Sequence, residues 1–364
     1  MRVMIAAGGT GGHIYPGIAV ANEIKQRDPD SIVRFVGTAK GLEKKLVPEA
    51  GFELSLIKST GLKNVGVTGK IKGVLLLPRG FFEAWKLIKD FRPDVVVGAG
   101  GYVSGPVLLM AYFMGVPTMA MESNALPGFT NRKLARFIDK AALTFAEAQP
   151  FFGGEGGKGV ITGNPVRREF FDIKPKPRMQ NEFDLLIFGG SQGARAINNA
   201  MIEALPFLDR YLEKVHITHQ TGEIDLENVR KGYADAGWTG ADIRPYISDM
   251  VTAFAESDLI ICRAGATTCA ELAAAGKAAV MVPLPTAADD HQRKNAEAMQ
   301  AGGAAMMILQ AELSGERLAS EIKALVDAPE KLNAMEEAAR KLAKADAAKI
   351  TVDMIEELAV KNKK

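Results

Sequence analysis

Two stretches, one in each half of the chain, lay out the same local structure, and they constrain the fold more than any other feature of the 364 residues. In the first, the run Arg2-Val3-Met4-Ile5-Ala6-Ala7 stops at Gly8-Gly9-Thr10-Gly11-Gly12-His13, and a helical pattern follows from Ile14 to Ala21. In the second, Asp184-Leu185-Leu186-Ile187-Phe188 stops at Gly189-Gly190-Ser191-Gln192-Gly193, and Ala194 to Ala200 continues as a helix. A strand that ends in glycines and reopens as a helix turns backbone N–H groups toward one point. The partial positive charge and unsatisfied donors of the helix start suit an anion or another oxygen-rich ligand there. Two such turns half a chain apart predict two similar domains facing one cleft, not a solenoid.

The length agrees with two domains. A net charge of +2 excludes a nucleic-acid binder driven by bulk electrostatics. Cys262 and Cys269, the only cysteines, fit neither a zinc site nor a disulfide framework, so a reducing compartment is expected. The four histidines include no pair at metal-ligand spacing, and no metal or cofactor is expected. The amino terminus runs straight into a strand and gives no sign of a signal peptide. Val95 to Met121 carries no charged side chain and is long enough to span a bilayer. Glycine and proline divide it at 98–101, 105–106 and 115–117, so it reads as buried strand, turn, helix, turn and buried strand.

Short apolar runs alternate with helical patterns in both halves. Strands are expected at 2–7, 31–37, 53–57, 94–98, 117–121 and 140–145, and helices near 17–27, 41–50, 71–91, 104–114 and 127–137. After a proline-rich, charged linker at 163–182, strands are expected at 184–188, 214–218, 241–244, 258–262, 278–282 and 305–308. Helices fall near 193–204, 223–236, 249–255, 265–275, 291–301 and 316–326, and the tail from Glu330 to Lys361 is helical. The alternation predicts α/β domains with parallel sheets and right-handed crossovers.

Gly8 to His13 is not a Walker loop, because no Lys-Ser or Lys-Thr follows, and Ile14 stands where the dinucleotide fingerprint needs a third small residue. The turn is either a backbone cradle with Thr10 and His13 at its mouth or a tight turn that needs glycine for positive φ. His13 is a candidate general base; the alternative is a ring tied to a nearby carbonyl. Gly189-x-Ser191-x-Gly193 matches a nucleophile elbow, with Asp258 and His291 following in triad order. The alternative reading makes Ser191, Gln192 and the Gly193 N–H donors to a phosphate. In Cys262-Arg263-Ala264-Gly265-Ala266-Thr267-Thr268-Cys269-Ala270-Glu271, the turn offers amides and hydroxyls to a diphosphate. Glu271 either accepts two ribose hydroxyls or is an exposed helix glutamate. Arg167, in Gly163-Asn164-Pro165-Val166-Arg167, could clamp a phosphate or tie an interface. Asp289 to Asn295 opens a helix whose amides and imidazole could read sugar hydroxyls, or whose two aspartates serve only as caps. Finally, Leu62 to Arg92 interleaves Ile71, Leu75, Phe81, Phe82 and Trp85 with Lys70, Lys72, Arg79, Lys86 and Lys89, the pattern either of a helix lying on an anionic membrane surface or of an ordinary amphipathic core helix.

These motifs together, with Gly-Gly-Tyr-Val-Ser-Gly-Pro at 100–106, resemble the MurG family, the bacterial N-acetylglucosaminyltransferases of peptidoglycan synthesis within glycosyltransferase family 28. The resemblance covers nearly the whole chain. It implies a GT-B fold, with an acceptor-binding, membrane-facing domain at 1–163, a UDP-sugar-binding domain at 164–345, and a last helix at 346–364 packing back on the first. It implies inverting transfer of N-acetylglucosamine from UDP-N-acetylglucosamine to the 4-hydroxyl of the muramoyl sugar of lipid I, giving lipid II and UDP. The setting would be the cytoplasmic face of the cell membrane, bound peripherally. By the same resemblance His13 is the base. Arg167, Ser191 and Gln192 meet the donor, as do Arg263, Ala266 and Thr267. Glu271 holds the ribose, the Ile247 backbone reads uracil, and Gln292 touches the sugar. Thr10, Gly11, Gly12 and Asn124 also bind UDP-N-acetylglucosamine, Thr10 and Asn124 lying toward the acceptor side, and Tyr102 and Glu122 face the acceptor. Met121-Glu122-Ser123-Asn124 replaces the His-Glu-Gln-Asn of many relatives, so only Glu122 and Asn124 carry over.

Overall fold

The computed structural model describes residues 1–39, 41–58, 67–179, 181–287 and 290–361, with the backbone alone over 67–77. The chain divides into two compact units, residues 1–167 with 344–364 and residues 168–343.

The first unit begins β1 (Arg2–Ala7), α1 (Gly11–Arg27), β2 (Ile32–Gly37), α2 (Glu43–Glu49), β3 (Glu53–Leu56) and α3 (Val67–Phe91). It continues β4 (Val95–Gly100), α4 (Ser104–Phe113), β5 (Thr118–Glu122), α5 (Phe129–Leu134), β6 (Lys140–Leu143) and β7 (Gly159–Ile161). All pairings are parallel, in the order β3-β2-β1-β4-β5-β6-β7. The central strands read as unbroken apolar runs because helices cover both faces. Ile14, Ile18 and Val20 of α1 pack on one face, and Ala84, Ile88, Val107 and Leu108 of α3 and α4 on the other.

The second unit opens with α6 (Arg168–Phe171) and β8 (Phe183–Phe188), then α7 (Arg195–Ala204), β9 (Val215–Gln220), α8 (Leu226–Asp235), β10 (Asp242–Arg244) and α9 (Met250–Glu256). It closes with β11 (Leu259–Cys262), α10 (Ala266–Ala275), β12 (Ala279–Met281), α11 (His291–Ala301), β13 (Ala305–Met307), α12 (Gly315–Val326) and α13 (Pro329–Leu342). Its sheet is also parallel, in the order β10-β9-β8-β11-β12-β13. The chain then returns to the first unit as α14 (Ala347–Lys361), which buries Val352, Ile355 and Leu358 in the core shared with α1. Those positions recur at helical spacing on one face. Arg27 reaches Asp353 at 2.6 Å across the α1–α14 contact.

Three details depart from expectation. Helix α1 starts at Gly11, a turn and a half early, despite two glycines and the internal Pro16; packing against the sheet outweighs their poor intrinsic helix propensity. The helical tail is two helices, broken at 343–346. A seventh strand, β7, is too short to leave a periodic signal. The uncharged stretch from Val95 folds as β4, a turn, α4, a turn and β5. No described helix is long and apolar enough to cross a membrane.

Candidate active site

In open parallel sheets, ligands bind beyond the carboxyl ends of the strands where the strand order reverses. In the first unit that point lies between β1 and β4, and the turns at 8–13 and 100–106 leave these two strands side by side. They interlock. A β-carbon at Gly101 would stand 2.2 Å from the Gly8 carbonyl oxygen, and one at Gly100 2.4 Å from His13 Cδ2. Both glycines also have φ in the left-handed region. His13 therefore lies against the end of β4, with Nδ1 3.2 Å from the Gly8 carbonyl. A carbonyl only accepts, so the neutral ring carries its hydrogen on Nδ1 and its lone pair on Nε2. His13 keeps some exposure, yet burial is the largest influence on it and pushes its pKa below 6.5, opposed by the Gly8 bond and then by Glu122 and Glu43. The ring is neutral at pH 7, with a basic Nε2. The ring tied to a nearby carbonyl, posed as the alternative, is therefore present, and it leaves Nε2 as the nitrogen that can accept a proton.

Thr10 and Tyr102 are exposed at this edge, Gly11 and Gly12 open α1 beside it, and Asn124 is half-buried. Glu122, expected at the acceptor, is engaged within its own loop. It is buried, and its oxygens accept from Asn124 N and Nδ2 (2.9 and 3.0 Å), Gly128 N (2.9 Å) and Asn131 Nδ2 (2.9 Å). With both oxygens occupied it holds the 123–128 loop and Asn124 in place. Arg167 also belongs to this unit, its guanidinium 4.4 Å from the Tyr15 ring centroid.

In the second unit the order reverses between β8 and β11. The turn at 189–193 leaves β8 with Ser191 and Gln192 exposed. Its backbone is pressed against the end of β9: a β-carbon at Gly193 would lie 1.8 Å from the Thr221 carbonyl oxygen, at φ +74°. Beside it the chain leaves β11 and opens α10 at Ala266 with Gly265, which has no side chain to cap with, at the N-cap; a helix start favours an anion. Thr267 is in the first turn of α10. Glu271 is 8% exposed, so the exposed-glutamate alternative does not hold.

Two expected donor contacts are engaged elsewhere. Arg263 donates to the Val282 and Pro283 carbonyls (3.1 and 3.3 Å) and to Gln310 Oε1 (2.7 Å), bracing the ends of β11 and β12. The Ile247 N–H donates to Gln220 Oε1 at 2.9 Å, which leaves its carbonyl as the backbone group for a base. Gln292 accepts the Leu284 N–H at 3.0 Å and keeps its NH2 for a ligand. The hydrolase triad fails on geometry. Asp258 bonds Lys176 Nζ and the Asp184 N–H, both at 2.8 Å, at the start of β8. Ser191 lies past its other end, roughly 20 Å away for a strand of this length.

Sequence reasoning overlooked the clasp under the second turn. Gln220 Nε2 donates to the Gly190 carbonyl at 2.8 Å while Oε1 holds Ile247. His219 is fully buried between the Tyr233 hydroxyl (2.9 Å) and Asn198 Oδ1 (3.1 Å), and Asn198 donates to the Thr221 carbonyl at 3.0 Å. The signal was available: Val215 and Ile217 alternate with polar residues, and His219 falls at the next position of the buried register. Among the described residues no group of three or more His, Cys, Asp or Glu is placed to hold a metal.

Of the expected membrane contacts, Phe82 (62% exposed) and Trp85 (36%) stack at 5.7 Å on α3, with Lys89 Nζ 4.9 Å from the Trp85 ring. Phe81 is half-buried. The side chains of Ile71 and Leu75 lie outside the described residues.

The chain matches the glycosyltransferase family 28 N-terminal domain over residues 3–143 and the family's C-terminal domain over 184–350. It is 49% identical over 359 residues to the UDP-N-acetylglucosamine–N-acetylmuramyl-(pentapeptide) pyrophosphoryl-undecaprenol N-acetylglucosamine transferase of Anaeromyxobacter sp. (strain K), covering 98% of this chain and 93% of that one. The same-named enzyme of Myxococcus xanthus (strain DK1622) is 46% identical over 361 residues, covering 99% and 94%. The crystal structure of Acinetobacter baumannii MurG superposes with a TM-score of 0.73 at 34% identity, covering 98% and 99% of the two chains. The architecture of two Rossmann-like α/β units is GT-B.

Proposed function

The chain belongs to glycosyltransferase family 28, and from that premise we propose that it is the hexosyltransferase that moves N-acetylglucosamine from UDP-N-acetylglucosamine to lipid I, forming lipid II and UDP in peptidoglycan synthesis. One observation carries the assignment to this chain's own residues. Each unit ends its central strand pair in a glycine turn, one presenting His13 and the other presenting exposed Ser191 and Gln192 beside the glycine-led start of α10.

The first unit binds the acceptor, with Tyr102, Thr10 and Asn124 around its sugar and Glu122 keeping Asn124 in place. The second unit binds the nucleotide sugar. Glu271 takes the ribose hydroxyls, the Ile247 carbonyl takes the uracil N3–H, and the Gln292 NH2 and Ala266 meet the sugar. Ser191, Gln192, Thr267 and the first amides of α10 hold the diphosphate. Arg167, Gly11 and Gly12 add polar contacts to the substrate. As the acceptor 4-hydroxyl attacks the anomeric carbon opposite UDP, its proton passes to His13 Nε2, and the breaking C–O bond leaves its electron pair on the diphosphate. A single helix start contributes at most about 2 kcal/mol toward that charge, so several donors share it. The stacked Phe82 and Trp85, with Lys86 and Lys89, seat the first unit on an anionic membrane at its cytoplasmic face.

Labelled UDP-N-acetylglucosamine and a lipid I analogue test the reading. Label should enter the lipid, and UDP should appear only when the acceptor is present. UDP release that ignores the acceptor would refute it.

A further inference from the structure

The two glycine turns look alike in sequence, yet they are filled differently. The first already contains an anion. Glu43, which opens α2, is fully buried, and its carboxylate lies beneath the turn. Oε2 accepts the Gly9 N–H at 2.9 Å, and Oε1 accepts the Thr38 N–H and hydroxyl, both at 2.8 Å. Glycine makes the room. A β-carbon at Gly41 would stand 1.9 Å from Oε2, one at Gly37 2.4 Å from Cγ, and one at Gly8 3.0 Å from Oε1. The Leu42 N–H closes the loop onto the Gly9 carbonyl at 3.4 Å. In the second turn the engaged partner is a neutral carboxamide, Gln220, bonded to the Gly190 carbonyl.

We propose that Glu43 is a positioning residue that makes the first turn a hydroxyl-binding, base-holding element and leaves diphosphate binding to the second. This rests on His13 being the base. A full negative charge beneath the turn outweighs the half-charge of the α1 start and repels a phosphate. The same carboxylate holds Gly9, the neighbour of the Gly8 carbonyl that fixes the His13 tautomer. Among the described residues, the carboxylates acting on His13 are Glu43 from α2 and Glu122 from β5. Arg167 stacks on Tyr15, which lies with His13 on α1. A Gln at 43 is the same shape, but with one acceptor oxygen it can accept the Gly9 N–H or the Thr38 N–H and not both. An Asp keeps the charge but is too short to reach both partners.

The test is steady-state kinetics of the intact enzyme across pH for the parent, Glu43→Gln, Glu43→Asp and His13→Asn. Glu43→Gln should lower kcat about tenfold to a hundredfold, the size of one charge-assisted hydrogen bond, with the KM for UDP-N-acetylglucosamine unchanged. The acid limb of kcat/KM should move to lower pH, because a negative charge beside His13 is gone. Glu43→Asp should lose rate with its acid limb in the parent position. A Glu43→Gln enzyme with parental kcat and acid limb would overturn the proposal. So would one whose nucleotide-sugar KM rises as far as its kcat falls. If Glu43→Gln does not fold, Glu43→Asp carries the test, and parental kcat there overturns it. Retention of the parental acid limb by His13→Asn would defeat the base assignment itself. Its loss there, with an unmoved limb in Glu43→Gln, would defeat this proposal alone.

Discussion

His219 offers the most direct check on the second turn's clasp. The ring is completely buried, and burial alone pushes its pKa from 6.5 down to about 3. The unfolded chain therefore binds a proton near pH 6.5 that the folded chain refuses until near pH 3. Stability from this group is complete above pH 6.5 and is lost as pH falls through that window. Between pH 7.5 and pH 5 the loss amounts to about 2 kcal/mol, from the ratio of binding polynomials with those two pKa values. Urea unfolding at the two pH values measures it, in the parent and in His219→Gln. The only tryptophans are Trp85 and Trp238, so a Trp85→Phe background leaves the buried Trp238 to report on the second unit. At pH 7.5 the variant should be less stable by about 1–3 kcal/mol, the cost of disturbing a buried hydrogen-bonded pair. At pH 5 that gap should shrink by about 2 kcal/mol, because only the parent has a buried imidazole to protect. The other histidines of this unit, His216 and His291, are common to both proteins. Parallel pH dependence in parent and variant would refute the account of a neutral, desolvated ring.

Three further outcomes follow from the geometry. His13→Ala should lower kcat by ~10²–10⁴, the usual worth of a general base, while UDP affinity persists; the parent's acid limb should lie below pH 6.5, in keeping with the depressed His13 pKa. Gly193→Ala places a methyl within 1.8 Å of the Thr221 carbonyl oxygen, so calorimetry should show UDP binding lost while the first unit's thermal transition is retained. Changing Phe82 and Trp85 together to Ser should reduce co-sedimentation with anionic liposomes; equal sedimentation would confine α3 to a packing role.

Much of the architecture was legible because a doubly covered parallel strand must be apolar throughout. Runs such as Val95-Val96-Val97 and Leu259-Ile260-Ile261 mark themselves. The glycine turns were legible for a related reason: 100–101 and 189–193 need positive φ or an approach no side chain allows. The start of α1 at Gly11 was not legible, since local propensity points the other way. Nor were the partners of polar side chains. Glu122, Arg263 and the Ile247 amide have chemistry a ligand could use, and nothing local reveals that Asn131, Gln310 and Gln220 use it first.

Sequence alone therefore determined the two-domain α/β plan and the place of both glycine turns at strand ends, because periodicity and backbone conformation are local properties; the chemical class of the reaction came from the resemblance of its motifs to a family. Tertiary structure alone decided which nitrogen of His13 is basic, that Glu43 fills one turn while Gln220 braces the other, and that Glu271 is buried. Those outcomes depend on groups far apart in the chain being packed within hydrogen-bond reach, where low dielectric and competition for each donor settle what every polar group is left free to do.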